Sequence, residues 1–176
     1  ANQRIQFKSP ISSFGAIQSK IATMATYCFA TESATYRAAN DIENRINELK
    51  NSGNSSQESE LKGFEEFAVE CSILKVAGSD NGQNCADHGI QIFGGMGYSC
   101  DSPMEMAWRD SRIARIYEGT NEINKMLSIA MLLKKASKGE IDLITKSTEI
   151  LNQIKKNVNF YEFNSSHENN LEQEQH

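Results

Sequence analysis

The sequence predicts an all-α protein, an antiparallel four-helix bundle, on three observations. Helix-favouring residues (Ala, Leu, Ile, Met, Glu, Lys and Gln) dominate its 176 positions, and only two prolines, Pro10 and Pro103, punctuate them. Apolar residues recur at spacings of three and four over long stretches, the period of a helix with one buried face. The connections between those stretches are short, which sets successive helices side by side and antiparallel.

Residues 1–12, "ANQRIQFKSPIS", read as a lead-in segment closed by Pro10, whose ring disfavours helix at Ser9. Phe14, Ile17, Ile21, Met24 and Cys28 then form one stripe and predict a helix over 13–50, capped by Ser12 or Ser13. "NSGNSSQES" at 51–59 is a loop by composition. Leu61, Phe64, Ala68 and Cys71 open a second long helix. Its middle, "AGSDNGQN" at 77–84, is weak: Gly78 and Gly82 each cost about 1 kcal/mol relative to Ala, so a break is allowed there. Ala86, Ile90, Ile92 and Phe93 carry the pattern to "GGMGY", which ends it.

Pro103 suits a first helical turn and starts a third helix reaching about Tyr117. A fourth begins near Asn121, with Ile123, Met126, Leu127, Ala130 and Leu133 on its inner side, and a shorter amphipathic piece follows at 141–154. The division expected is a lead-in at 1–12, a bundle at 13–136, an extra C-terminal helix at 137–157 and a disordered tail at 158–176. The stretch "NSSHENNLEQEQH" carries one apolar residue, Leu171.

Charge narrows the partners. Net charge is −5, but four acids and no Lys or Arg follow Lys156, so residues 1–156 carry −1. A near-neutral body without a basic stripe argues against nucleic acid. Cys28, Cys71, Cys85 and Cys100 lie far apart with no Cys-x-x-Cys, and read as reduced, mostly buried thiols. No apolar run is long enough for a membrane-spanning helix, so no membrane partner is expected. The chain opens at Ala1 inside a polar segment, which reads as a piece of something longer.

Three segments can carry chemistry. In "YEGT", Gly119 ends one helix and Thr120 or Asn121 caps the next, which makes a plain helix–helix corner. Glu118 strains that reading, because a carboxylate at a helix C-terminus faces the negative end of the macrodipole. A carboxylate held on such a turn is also what general-base chemistry needs. In "QIFGGMGY", Gly94, Gly95 and Gly97 allow close approach of a backbone or a phosphate, or simply end a helix. Their spacing matches neither a P-loop nor a dinucleotide fingerprint. "RDSRIAR" sets Arg109, Arg112 and Arg115 three apart, an ion-paired or solvated face. Trp108 reads as core and His88 as a structural or surface residue.

Taken together, "RIQFKSPISSFGAIQSKIATMA" and "QIFGGMGYSCDSPMEMAWRDSRIARIYEGTNEI" resemble the C-terminal helical domain of the acyl-CoA dehydrogenases, from about Arg4 to Leu133. "FATESATYRAANDI" and the continuation past the fourth helix resemble the very-long-chain branch and its bacterial relatives. The resemblance implies an FAD flavoprotein that converts a fatty acyl-CoA into a trans-2-enoyl-CoA. Glu118 would be the base removing the α-proton, and its backbone N–H would help polarise the thioester oxygen. Gly119 would let the chain pass close to the substrate. Thr120 and Glu122 would contact the FAD of the same subunit. Arg4, Gln6 and Phe7, with Gln91, Ile92, Gly94 and Gly95, would reach the FAD of a neighbouring subunit. That implies a homodimer or tetramer built through the bundle, and electron-transferring flavoprotein as acceptor. The compartment would be a bacterial cytoplasm or the mitochondrial matrix.

Two residues depart from the family pattern: Lys8 where the family writes Gly, and Gly15 where many members carry Gln. The family's N-terminal helical domain and β-domain are not in this sequence, so the chain by itself is expected to be inactive. An acyl-CoA oxidase relative and a non-catalytic helical assembly module are the alternatives.

Overall fold

A computed structural model describes residues 1–156. The fold class is all-α, as the periodicity requires, with one small hairpin at its start. The expected disordered tail lies outside the described residues.

The lead-in is that hairpin. Strand β1 (Ile5–Gln6) pairs antiparallel with β2 (Ser9–Pro10), Ile5 opposite Pro10 and Gln6 opposite Ser9. Phe7 and Lys8 close it with φ of 48° and 65°, the left-handed pair of a two-residue hairpin turn. Lys8 therefore stands where a Cβ is strained. A 3-10 turn, Ile11–Ser13, leads into helix α1 (Gly15–Asn51). The cap is not Ser12 or Ser13. Phe14 occupies the N-cap without a side-chain bond, Ser13 Oγ donates to the Pro10 carbonyl, and Gln18 Nε2 donates to that of Ser12. The 3-10 turn has already engaged the two serines.

The loop after α1 is shorter than composition suggested. Helix α2 (Ser56–Glu66) begins at once because Ser55 accepts from the Glu58 N–H at 3.2 Å, half of an S-x-x-E capping box. The break in the second long helix also moves. It falls at Phe67, and α3 (Ala68–Phe93) runs unbroken through "AGSDNGQN". Tertiary contacts override the weak propensity there: Asn81 Nδ2 donates to Thr31 Oγ1 at 2.9 Å, and Ser79 bonds Asn121. A short helix α4 (Gly95–Tyr98) follows. Helix α5 (Pro103–Ile113) is capped by Ser102, which accepts from Met104 N–H, and starts on Pro103 as expected. It stops at Ile113, four residues before Tyr117. Helix α6 (Asn121–Ser137) follows.

Antiparallel packing is visible residue by residue. Cys85 reaches the Met24 carbonyl, Asn81 reaches Thr31, and Arg45 pairs with Glu66, so numbers rise on α1 as they fall on α3 and α2. Helix α5 runs against α3 in the same way, Met104 lying beside Gly89 and Arg115 beside Asp80. A Cβ on Gly89 would stand 2.7 Å from Met104 Sδ, so that glycine sets how closely the two helices approach.

Among the described residues the buried apolar ones are Ile11, Ile42, Val69, Ala86 and Ile92. Several expected core residues are not among them. Trp108 is 38% exposed, and Cys28, Cys71 and Cys100 are exposed, with Cys85 half-buried. On α6 the face expected to point inward is outward: Ile123, Met126, Leu127, Ala130 and Leu133 are exposed, while Asn121 and Asn124 are buried. Polar bonds from the first turn of α6 fix that orientation, as described below. Among the described residues no helix is long and apolar enough to cross a membrane.

The chain divides into two compact units, 1–131 and 132–176. In the described part of the second, α6 ends in a turn with Gly139 at φ 75°, and residues 143–156 are helical.

Candidate functional site

The predicted site residues fall into two groups along α3. The first surrounds the glycine turn. Gly94 sits at φ 65° and ψ −148°, a backbone conformation open in practice only to glycine. The Arg4 guanidinium lies over it and donates through Nη1 to the carbonyls of Ile92 (3.3 Å) and Phe93. A Cβ on Gly94 would meet Arg4 Nη1, and would stand 2.8 Å from Nη2. Arg4, Ile92 and Gly94 are thus one cluster, with Gly95 and Gln91 exposed beside it. Gln6 and Phe7 stand on the hairpin next to Arg4, and the Phe7 ring, 89% exposed, meets Phe14 edge-on at 6.1 Å.

The second group is the turn between α5 and α6. Because α5 ends at Ile113, Glu118 is not at a helix C-terminus, and the macrodipole argument does not apply to it. What marks the residue instead is its backbone. Glu118 has φ 54° and Gly119 φ 80°, two left-handed residues in succession. Glu118 is exposed on the rim of an open cleft of about 360 Å³. Leu74, Lys75, Gly78, Ser79 and Gly82 of α3 line one side of this cleft, and Ser111, Ala114, Tyr117 and Glu118 the other. Of the two glycines read above as weak points of a helix, Gly82 has open space where a Cβ would go, whereas a Cβ on Gly78 would meet Thr31 of α1 at 3.6 Å. Among the described residues the Glu118 carboxylate takes no hydrogen bond or ion pair.

A polar network that the sequence reading missed holds this turn. Asn121 is 2% exposed. Its Nδ2 donates to Ser79 Oγ (2.9 Å) and Asp80 Oδ1 (3.0 Å), and its Oδ1 accepts from Lys75 Nζ (3.0 Å). Asp80 is in turn paired with Arg115 at 2.7 Å, so that one of the three arginines braces the turn, while Arg109 pairs with Glu105 on its own helix. Asn124 Nδ2 donates to the carbonyls of Gly119 (2.9 Å) and Thr120 (3.2 Å). Lys75 Nζ donates to the Gly119 carbonyl at 2.7 Å. A Cβ on Gly119 would stand 3.0 Å from Asn124 Nδ2, so a side chain there would press on the network. The sequence signal available was modest: two Asn three apart opening an apolar helix.

Thr120, not Asn121, caps α6, accepting from Ile123 N–H at 3.3 Å. Bonds from its own N–H and the Thr120 hydroxyl, with the charges of Lys125 and Arg115, hold the Glu122 carboxyl below the usual carboxylate range. The two groups remain apart: Ser79 and Ile92 are separated along α3 by about 20 Å at 1.5 Å per residue.

The sequence model of the acyl-CoA dehydrogenase C-terminal domain matches residues 1–133. The chain belongs to this family. It is 42% identical over 154 residues to a probable acyl-CoA dehydrogenase of Bacillus subtilis (strain 168), covering 88% of this chain and 26% of that one. It is 36% identical over 126 residues to the mitochondrial very long-chain specific acyl-CoA dehydrogenase of Rattus norvegicus, covering 72% and 16%. Its fold is similar to the crystal structure of an acyl-CoA dehydrogenase complexed with FAD from Bacillus anthracis. The TM-score is 0.77 at 41% identity, over 85% of this chain and 26% of that one. The acyl-CoA dehydrogenase domain described here thus spans about a quarter or less of the length of these relatives.

Proposed function

We propose that the chain is the C-terminal part of an FAD-dependent acyl-CoA dehydrogenase that converts a fatty acyl-CoA to the trans-2-enoyl-CoA, with Glu118 as the base. The observation that carries this is the placement of Glu118: a carboxylate without a partner among the described residues, on the rim of an open cleft, on a left-handed backbone that seven hydrogen-bonding or ion-paired side chains brace. A turn so over-determined at a strained residue marks a functional position. The carboxylate takes the α-proton, and the Glu118 N–H steadies the thioester oxygen as negative charge develops there. Gly119 keeps the following peptide bare of a side chain.

The residues present fit FAD at the glycine turn. A charged guanidinium lies on a conformation where any Cβ would displace it, which suits a diphosphate beside Arg4, Gly94 and Gly95. Gln6, Phe7 and Gln91 are exposed beside them, while Ile92 is buried and takes part only through its carbonyl, which accepts from Arg4. At the start of α6 the fit carries a condition. Glu122 and Thr120 side-chain oxygens already take first-turn N–H groups, and a diphosphate would replace one of them. FAD, when bound, supplies the hydride acceptor for the β-hydrogen.

The exposed apolar face of α6 supports a homodimer or tetramer. Membership of the acyl-CoA dehydrogenase family is what supports electron-transferring flavoprotein as acceptor. The bacterial cytoplasm and the mitochondrial matrix both suit this reading. In the complete enzyme, Glu118→Gln is expected to leave the flavin bound and lower turnover by roughly 10²–10⁴-fold. Turnover near the wild-type rate would remove Glu118 from the base role.

A further inference from the structure

The turn that carries Glu118 has a local electrostatic problem. Two consecutive left-handed residues rotate the carbonyls of Glu118, Gly119 and Thr120 toward one point, where Asn124 Nδ2 lies 3.5, 2.9 and 3.2 Å from them. The Asn124 backbone N–H also donates to the Thr120 carbonyl at 2.9 Å, which leaves the two side-chain hydrogens for Glu118 and Gly119. Lys75, 44 positions before Gly119 on α3, adds a charged donor to these convergent carbonyls. Its Nζ lies 2.7 Å from the Gly119 carbonyl and 3.0 Å from Asn121 Oδ1.

The ammonium has no carboxylate within ion-pair distance among the described residues; Asp80, one turn along α3, is taken by Arg115. A half-buried lysine that points at two neutral oxygens, both belonging to one turn, is held there for the turn. Lysine also fits better than arginine. Its three hydrogens on a compact charge meet acceptors from separate directions, whereas a guanidinium presents its donors in one plane.

We infer that Lys75 is a positioning residue for the Glu118 base: its bonds to the Gly119 carbonyl and Asn121 lock the left-handed turn and hold the Glu118 carboxylate at the cleft. The inference rests on the reading of Glu118 as base. Lys75 lines the same cleft, but its role runs through the turn and needs no contact with substrate. Displacement of a base by about 1 Å can lower the rate by about 100-fold while substrate still binds.

The test uses the complete FAD-loaded enzyme. Lys75→Met keeps the length of the stem and removes the charge and the donors. It is expected to keep its flavin and a KM within about twofold, and to lose about 10–100-fold in kcat. Lys75→Arg should recover part of the loss. Combined with Glu118→Gln, Lys75→Met should cost nothing further, because its effect passes through Glu118. Wild-type kcat in Lys75→Met would overturn the inference. So would an equal loss on top of Glu118→Gln, which would make Lys75 merely structural. If Lys75→Met does not yield flavin-loaded enzyme, Lys75→Gln, which keeps a donor without the charge, decides by the same kcat and KM. An active Glu118→Gln sinks the base reading and this inference with it. An inactive Glu118→Gln beside a fully active Lys75→Met sinks this inference alone.

Discussion

Gly94 and Gly95 are adjacent, yet alanine should act on them with opposite sign. At Gly94 the backbone, φ 65° and ψ −148°, costs a residue with a Cβ about 1–3 kcal/mol. The new methyl would also stand 2.8 Å from Arg4 Nη2 and 3.0 Å from Cζ, so the guanidinium must leave. It then gives up its bonds to the Ile92 and Phe93 carbonyls, which at this partly exposed place contribute about 1 kcal/mol between them once water replaces them. The expected loss is about 3 kcal/mol. Gly95 has open space where a Cβ would go and lies in α4, so Gly95→Ala should gain up to about 1 kcal/mol from helix propensity. Urea unfolding followed by circular dichroism measures both. With a slope of about 2 kcal/mol/M, the two midpoints should differ by about 1.5–2 M. In an Arg4→Met background the cost of Gly94→Ala should fall to its backbone part. Midpoints within about 0.3 M of each other would refute the argument, since neither strain nor collision would then be present.

Two further outcomes follow from the same reasoning. Lys8→Gly should stabilise the hairpin by about 0.5–1 kcal/mol, because Lys8 has φ 65°, and an unchanged urea midpoint would show that the turn is not strained. Glu122 titrates below an ordinary carboxylate because its own N–H and the Thr120 hydroxyl favour its charged form. Its contribution to stability is therefore present above the ordinary carboxylate pKa and lost as pH falls through its lowered value. Glu122→Gln should flatten that acid limb of stability against pH, as read by thermal unfolding between pH 2 and 6. An unchanged limb would mean that the helix start does not hold the carboxylate.

Much of the scaffold was legible because it is local. Pro103 at a first turn, the three-and-four stripes and the turn after Phe93 each depend on residues within one or two helical turns. The Ser55–Glu58 box is equally local and outweighs the loop-like composition around it. The misplaced break had another cause. "AGSDNGQN" is a weak helix by itself, and its helicity comes from Thr31 on α1 and Asn121 on α6, partners 50 and 42 positions away. The end of α5 came early for a similar reason, since the turn after it is drawn onto α3 by Arg115, Asn121 and Lys75. The YEGT motif marks Glu118, but the helix-dipole argument for it fails because α5 ends at Ile113.

The sequence by itself determined that the chain is helical, roughly where its helices lie, and which short segments carry glycine, arginine and carboxylate in the order of this family. These follow from backbone propensity, apolar period and motif, which near neighbours in the chain decide. Only the tertiary structure decided that Arg4 covers Gly94, that Lys75 bonds the Gly119 carbonyl, and that α6 buries two asparagines while its apolar stripe is exposed. Each depends on which side chain another helix presents at hydrogen-bond distance. Residues some 40 to 90 positions apart meet there only once the helices have packed.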